Sequence, residues 1–557
     1  MSNNKSYTLM TKPTKKKRMK HVVPNRKIIT LIFVTIIVLT AFLSSCTQSE
    51  KNCNPAPNIL FCIADDASWQ HFGAYGCDWV KTPGFDRVAE SGLLFQNAYT
   101  PNAKCAPSRS CIITGLNSWQ LKAAANHVPF FPQEFHSYVE ILSENGFLVG
   151  TTGKGWAPGK ALDKEGKNRE LTGKFYNYIK LTPPTKLISD IDYTANFKSF
   201  LKERKDKQPF CFWYGGIEPH RFYEYGSGAK IGGKDIKEID EVPAFWPDVD
   251  TVRNDLLDYA FEIEHFDAHL TKMLHHLNDI GELENTIVIV TADNGMPFPR
   301  VKGQVYEYSN HLPLAIMWPK GIKNPGRKIR DHVNFIDFAP TFLEIAGINF
   351  SKSKMQKMEG RSLTEIFNSE KEGQVIPERD FVLVGKERHD LGRPGDTGYP
   401  VRGIFKNNML YLHNYHIDRW PAGNPETGYL NCDGGATKSY ILNQRRHSAE
   451  MKYWELNFGK RTSEELYDIK ADPYCMNNLI DNPDYASQAA TLKNEMKEKL
   501  TQQNDPRILG NGKVFMSYPY AEDNRGMYEK LMAGEEVNTG WVYDSDFELD
   551  FVENNKK

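Results

Sequence analysis

The stretch Cys105-Ala106-Pro107-Ser108-Arg109-Ser110-Cys111-Ile112-Ile113-Thr114-Gly115 sets the frame for the rest of the chain. Pro107 suits the first turn of a helix, where its missing N–H costs nothing, and the apolar pair Ile112 and Ile113 supplies a surface to bury. A helix N-terminus carrying Cys105 at its positive end is therefore predicted. A lone cysteine in a mixed sequence is ordinarily a small buried hydrophobe. Here free backbone N–H groups, the helix dipole and the guanidinium of Arg109 converge on one place, a combination suited to an anionic ester. Just upstream, Leu93 to Tyr99 reads as a strand, so the helix is one step in an alternation of strands and helices.

That alternation runs through most of the chain. After a Pro/Asn-rich linker from Asn52 to Pro57, Asn58 to Ala64 is an apolar run of buried-strand type that ends in Asp65-Asp66. Helices are predicted over Thr82 to Glu90, Tyr138 to Glu144 and Tyr193 to Glu203, with strands over Phe147 to Thr152 and Phe210 to Gly215. A long amphipathic helix follows, with Leu256, Tyr259, Ile263, Phe266, Leu270, Met273 and Leu277 on one face and Gly281 as its stop. On it, His265 and His269 have metal-compatible spacing but no third ligand nearby, so they read as a solvated or locally bonded face. Thr286 to Thr291 is a strand rich in β-branched residues that delivers Asp293-Asn294-Gly295. Strand Leu314 to Trp318 and helix Phe335 to Ala346 complete a large domain. From about Glu378, paired short strands (Phe381 to Val384, Val401 to Phe405, Met409 to His413), Leu466-Tyr467-Asp468 and a helix Tyr485 to Leu500 predict a smaller α+β domain. The acidic end, Asp544 to Glu553, reads as a solvated tail.

Composition narrows the function. With 557 residues the chain exceeds one domain of about 100–200 residues. Its 69 Lys+Arg against 70 Asp+Glu leave no overall field to recruit nucleic acid, so any anion binding is local. At the N-terminus a basic segment (Lys15 to Lys27) precedes an apolar run from Ile28 to Leu43 and then Ser44-Ser45-Cys46, the layout of an export signal. Leu43-Ser44-Ser45-Cys46 resembles a bacterial lipobox, which implies a lipid on Cys46, a membrane attachment through it, and a place in the bacterial cell envelope. Removing Cys46 and Cys105 from the nine cysteines leaves seven, an odd number that forbids complete pairing. No Cys/His cluster has zinc spacing.

In an open α/β sheet ligands collect beyond the carboxyl ends of the strands, which brings Asp65-Asp66 and Asp293-Asn294 to one rim. Adjacent carboxylates past a strand are poor core residues and good ligands for a hard cation, although a lone Asp-Asp is more often an acidic loop or helix cap. An all-oxygen set favours calcium over zinc or copper.

Together with the Cys105 stretch, this set resembles the type I sulfatases, over nearly the whole exported chain. The resemblance implies an α/β fold with an alkaline phosphatase-like large sheet sandwiched by helices and a smaller C-terminal α+β domain. It implies a division into a lipoprotein-type signal peptide (1–46), a linker (47–56), a catalytic domain (57–375) and a C-terminal domain with tail (376–557). It implies that Cys105 is converted to formylglycine by a maturation enzyme, and that Asp65, Asp66, Asp293, Asn294 and the converted Cys105 hold Ca2+. Arg109 and Lys154 match family positions that hold the formylglycine and the sulfate, and His220 and Lys302 match the other substrate-side positions. Within the family the likeness is greatest to the heparan N-sulfatases, on Asp293 to Pro299, Pro219-His220-Arg221, Leu466-Tyr467-Asp468 and Asp472-Pro473. One departure stands out: a histidine usual two residues after the family lysine is Trp156 here.

The expected activity is removal of sulfate from a sulfated glycan, with N-sulfoglucosamine of heparan or heparin as one substrate. Other expectations are an O-sulfatase on another polysaccharide, or a phosphate or phosphonate ester hydrolase on the same metal rim. A different class is a tethered glycan-binding lipoprotein that keeps Cys105 as a thiol.

Overall fold

The computed structural model describes residue 13 and residues 15–20, 56–448 and 450–551. The apolar run from Ile28 to Leu43, Cys46 and Cys53 lie outside the described residues. Residues 56–557 form one compact unit.

Strand β1 (Asn58–Ala64) is buried along its whole length and divides the core in two. Because side chains alternate across a strand, Leu60, Cys62 and Ala64 face one layer and Ile59, Phe61 and Ile63 the other. The first layer includes Leu256, Tyr259, Ile263, Phe266 and Leu270 of the long helix Asp250–Asp279. The second includes Ile112 and Ile113 of helix Cys105–Thr114, with Phe338 and Phe342 of helix Phe338–Ile345. A strand buried on both faces reads as a continuous apolar run, which is why β1 and Thr286–Ala292 were legible without any alternation.

The remaining strands of the large sheet are β2 (Leu93–Tyr99), β3 (Leu148–Gly153), β4 (Lys174–Phe175), β5 (Phe210–Gly215), β6 (Thr286–Ala292), β7 (Leu314–Met317) and β8 (Arg327–Asn334), in spatial order β8-β2-β7-β6-β1-β5-β3-β4. The run β6-β1-β5-β3 is parallel throughout. Only β7 runs antiparallel to its neighbours, so β2 ends at the same edge as β6 and β1. Edge strand β8 was not anticipated. Its sequence, Arg-Lys-Ile-Arg-Asp-His-Val-Asn, is polar, yet it alternates buried and less buried positions along its length. Buried Arg327 and Asp331 escape penalty because the guanidinium donates to backbone carbonyls and the carboxylate accepts from Val375 and Ile376 N–H groups.

The smaller sheet is antiparallel: β9 (Phe381–Lys386), β10 (Val401–Lys406), β11 (Met409–Asn414) and β12 (Glu464–Asp468). Helix Ala486–Gln502 covers it with Ala489, Leu492, Met496 and Leu500 against Leu383, Ile404, Tyr411 and Leu466. Between β11 and β12 run two unpredicted helices, Ala436–Ser448 and Lys452–Phe458.

One expectation is corrected in part, and one is narrowed to a single alternative. The acidic end is solvated only in part: Asp544 and Asp550 are exposed, but Asp546 is fully buried 3.2 Å from the Lys438 ammonium, and Glu548 pairs with Arg445 and Arg446. The buried Lys438 and the half-buried Arg445 and Arg446 of helix Ala436–Ser448 draw this part back onto the protein. His269 is also buried, with Nδ1 2.9 Å from Thr194 Oγ1 and its ring edge-on to His265, so it is a locally bonded residue and not a solvated one. All seven cysteines among the described residues are unpaired.

Candidate active site

The carboxyl ends of β1, β3, β5 and β6 lie side by side, and the chain past each end carries part of the site. Register pairs Ala64 with Ala292, so Asp65-Asp66 and Asp293-Asn294 emerge together. The Asp293 N–H donates to Ala64 O at 3.2 Å, and the Asp66 N–H to Asp293 Oδ1 at 3.1 Å. Asp66 is held at φ 73°, a left-handed conformation that costs on the order of 1 kcal/mol for a non-glycine residue. Lys154 follows β3. There Gly153, at φ +75°, approaches Gly215 so closely that an added Cβ would lie 1.9 Å from its carbonyl oxygen, and Lys154 N–H donates to that oxygen at 2.7 Å. Cys105 opens its helix as predicted, on the segment that follows β2.

Asp65, Asp66, Cys105 and Asp293 each place a ligand atom within 4.8 Å of the others, and all four are buried. Cys105 Sγ lies 3.4 Å from Asp65 Oδ1 and 3.9 Å from Asp66 Oδ1. Asn294 donates its amide to Asp66 Oδ1 at 2.6 Å while its own Oδ1 is buried without a partner. Three packed carboxylates beside an orphaned amide oxygen are a donor set for a hard cation. The residues present therefore fit the calcium that the resemblance implies.

Cations ring the carboxylates. The Arg109 Nε donates to Asp293 Oδ2 at 2.8 Å, Nη1 donates to the Lys154 and Gly155 carbonyls, and Nη2 lies 3.6 Å from Asp65. Arg109 is fully buried and does not line the cavity, so its visible work is to fix Asp293 and the Lys154 backbone. Lys154 Nζ donates to Asp65 Oδ2 at 2.6 Å, and Lys302 Nζ to Asp66 Oδ2 at 2.7 Å. His220 points Nδ1 at Arg221 O, 2.7 Å away, so Nδ1 carries the hydrogen and Nε2 faces Lys302 Nζ at 3.0 Å. Trp156 leaves the site altogether: its indole donates to Ser110 Oγ at 2.8 Å.

These contacts set the charges. Burial pushes the Asp65 carboxyl up, but Lys154, His220 and Arg109 outweigh it and hold Asp65 well below the usual range. Asp293 goes the other way: burial, and then the Asp65 charge, push it up to about 7. Burial opposes the charge on Lys302, yet Asp433 and Asp66 keep it firmly protonated. Burial followed by Asp65 pushes the Cys105 thiol well up, so as a thiol it is not an ionised nucleophile.

Cys105, Lys154, His220 and Lys302 line one cavity of about 270 Å³. Its remaining wall holds residues the sequence did not flag. Asp433 accepts from Lys302 at 2.5 Å. Asp390 sits 2.6 Å from Lys104 and from His127, and Tyr520, Glu522 and Trp541 close the far side. Lys104 stood next to Cys105 and was open to notice. The others come from irregular segments whose spacing carries no signal.

A family model described as Sulfatase matches residues 57–348, just over half of the chain. The chain belongs to the sulfatase family. It is 27% identical to an ulvan-active sulfatase of Formosa agariphila, with 86% of this chain and 87% of that one aligned. It is 26% identical to the human N-sulphoglucosamine sulphohydrolase, with 82% and 92% aligned. Among solved structures, a putative sulfatase from Bacteroides fragilis superposes with TM-score 0.60 at 19% identity, covering 83% of this chain and 99% of that one. A protein solved with its substrate D-glucosamine-2-N,6-O-disulfate superposes with TM-score 0.57 at 21% identity, covering 81% and 98%. These neighbours share the alkaline phosphatase-like fold. The sulfatase thus has the large mixed sheet flanked by helices, and the smaller antiparallel sheet, that the sequence led us to expect.

Proposed function

We propose that this sulfatase removes sulfate from a sulfated glycan of the glycosaminoglycan type, with N-sulfoglucosamine as the first substrate to test, through a formylglycine made from Cys105. The observation that carries the reading is Cys105 itself, at a helix N-terminus between a buried carboxylate cage and the ammonium groups of Lys154 and Lys302. The likeness to the human N-sulphoglucosamine sulphohydrolase supports the substrate class, as does the fold shared with the disulfated glucosamine complex.

Asp65, Asp66, Asp293 and Asn294 would hold Ca2+, which when bound neutralises the carboxylates and polarises the sulfuryl group. Hydrated formylglycine would supply two geminal hydroxyls, one to displace the sugar from sulfur and a second to expel sulfate. Lys154 and Lys302 face the cavity with fixed charges and stabilise negative charge on the sulfuryl oxygens as the bond to the sugar loosens. Arg109 keeps Asp293 and the Lys154 backbone in place. His220, whose Nδ1–H is anchored on a carbonyl, presents Nε2 beside Lys302; as the imidazolium it would carry a second hydrogen on Nε2 and hand it to the departing atom of the sugar.

That role has a distinct signature. General acid help is worth about 10²–10⁴ in rate and matters most for a poor leaving group. His220→Ala is expected to lose about 10²–10³ in kcat on a sulfated sugar and less than about tenfold on 4-nitrophenyl sulfate, whose leaving group needs no proton. Equal kcat losses on both at saturation would remove His220 from the acid role.

The reading as a whole is tested by two measurements on the exported protein. The mass of the Cys105 peptide reports conversion of the thiol to the aldehyde. A panel of N-sulfated and O-sulfated glucosamines, run with 4-nitrophenyl sulfate and 4-nitrophenyl phosphate, reports the substrate. Faster hydrolysis of the phosphate, or an unconverted thiol with binding and no turnover, would replace it with the phosphoesterase or the glycan-binding alternative.

A further inference from the structure

Histidine 127 stands apart from the machinery described above. It shares the cavity wall with Cys105, Lys154, His220 and Lys302. Its Nδ1 is 2.6 Å from Asp390 Oδ1, and its Nε2 is buried without any partner. The side chain is only 10% exposed, so the orphaned nitrogen is not simply a solvated one.

The surroundings hold the ring still. His127 N–H donates to Arg388 O at 3.0 Å, Arg388 N–H donates to Asn126 Oδ1 at 3.1 Å, and Asn126 donates its amide to Phe515 O at 2.8 Å. The next residue, Val128, is at φ 49°, a left-handed conformation that is an outlier for a β-branched side chain. Strain of this kind persists only where the surrounding structure imposes it, and it gathers at functional sites.

The chemistry of the unpaired edge follows from Asp390. That carboxyl lies far below the usual range because Lys104 and His127 outweigh its burial, so it is ionised and can only accept. Nδ1 must therefore carry the hydrogen, which leaves a lone pair on Nε2 of the neutral ring. Burial holds His127 below the usual histidine range despite Asp390, with Lys104 and Lys302 adding to the effect, so the neutral form prevails at pH 7. Of the carboxylates on the cavity wall, Asp433 is taken up by Lys302, and Asp390 is ion-paired with Lys104 and hydrogen-bonded to His127. Ammonium groups of Lys154 and Lys302 serve an anion, whereas an orphaned acceptor serves a donor.

Resting on the glycan reading above, we propose that His127, oriented by Asp390, is a specificity-determining residue that accepts a hydrogen bond from a hydroxyl or N–H of the sugar beside its sulfate group. A site built to accept from a substrate O–H or N–H discriminates against ligands that lack it, because the buried acceptor is then left unpaired.

The test compares kcat/KM of the wild-type exported protein, His127→Ala and His127→Gln on N-sulfoglucosamine and glucosamine 6-sulfate, which offer such donors, and on 4-nitrophenyl sulfate, which offers none. His127→Ala is expected to lower the ratio of sugar to aryl kcat/KM by about ten- to a hundredfold. His127→Gln, whose Oε1 still accepts, is expected to recover part of that ratio. Residual turnover of the aryl ester shows that each variant is folded. An unchanged ratio in His127→Ala would overturn the assignment, and so would equal losses on sugar and aryl substrates, which mark a merely structural residue. Wild-type turnover of the aryl ester with neither sugar sulfate would overturn the glycan reading and this assignment with it.

Discussion

Cys105→Ala is expected to lower kcat by at least about 10⁴-fold on every sulfate ester, while its melting temperature stays within a few degrees of wild type. The side chain is small and buried, and its removal deletes no charge pair, so folding has little to lose. Chemistry loses everything that depends on an oxygen at this position. Cys105→Ser separates the two halves of the reaction. One hydroxyl can take the sulfuryl group from the sugar, but without a geminal partner nothing expels it, so the variant should complete a single turnover and gain one sulfuryl group on the Ser-containing peptide. Multiple turnovers by Cys105→Ala, or by wild-type protein whose peptide mass shows only thiol, would end the formylglycine reading.

Calcium removal should be nearly as severe. Arg109, Lys154 and Lys302 offset part of the charge on the three carboxylates around Cys105, but Asp293 is still pushed up to about 7 by burial and by Asp65. Stringent chelation is expected to lower kcat by about 10³-fold or more, with activity restored by Ca2+. It should also lower the melting temperature, because a ligand at 1,000 times its Kd stabilises the folded state by about 4 kcal/mol. The sign with pH is fixed. A carboxyl that titrates near 7 in the cation-free protein must give up its proton to bind, so calcium affinity should rise as pH is raised from 6 to 8, with proton release visible in weakly buffered calorimetry. Asp293→Ala should abolish binding, and it also leaves the buried Arg109 guanidinium without its 2.8 Å partner, a change that costs about 3–5 kcal/mol when a buried pair is broken. Full activity after chelation, together with an active Asp293→Ala, would remove the metal site from the mechanism.

What could be read from the sequence was whatever a regular element delivers. Asp65-Asp66 and Asp293-Asn294 follow apolar strands whose burial is written in their composition, and Cys105 opens a helix announced by Pro107. Lys154, His220 and Lys302 carry no such local signal and came only from the family resemblance. Asp390, Asp433 and His127 were missed because loops have no period: each is placed by contacts more than a hundred residues away in sequence, as in His127 with Asp390 or Lys302 with Asp433. Strand β8 was missed because its polar residues find backbone partners that a hydropathy pattern cannot show. Asp546 and Glu548 of the acidic end were misjudged because their partners, Lys438, Arg445 and Arg446, sit on a helix that was itself unpredicted.

That tethered end has a consequence for how such a protein can change. The reactive groups are held at strand ends between Asp65 and Lys302, where a single substitution disturbs the sheet. Tyr520, Glu522 and Trp541 belong instead to the last stretch of chain, which is fastened by a few ion pairs such as Lys438 with Asp546. Insertions, deletions and recombination within that stretch can reshape what enters the cavity without touching what reacts there. The part of selectivity that this stretch carries can in this sense change separately from reactivity, while the catalytic rim stays as it was.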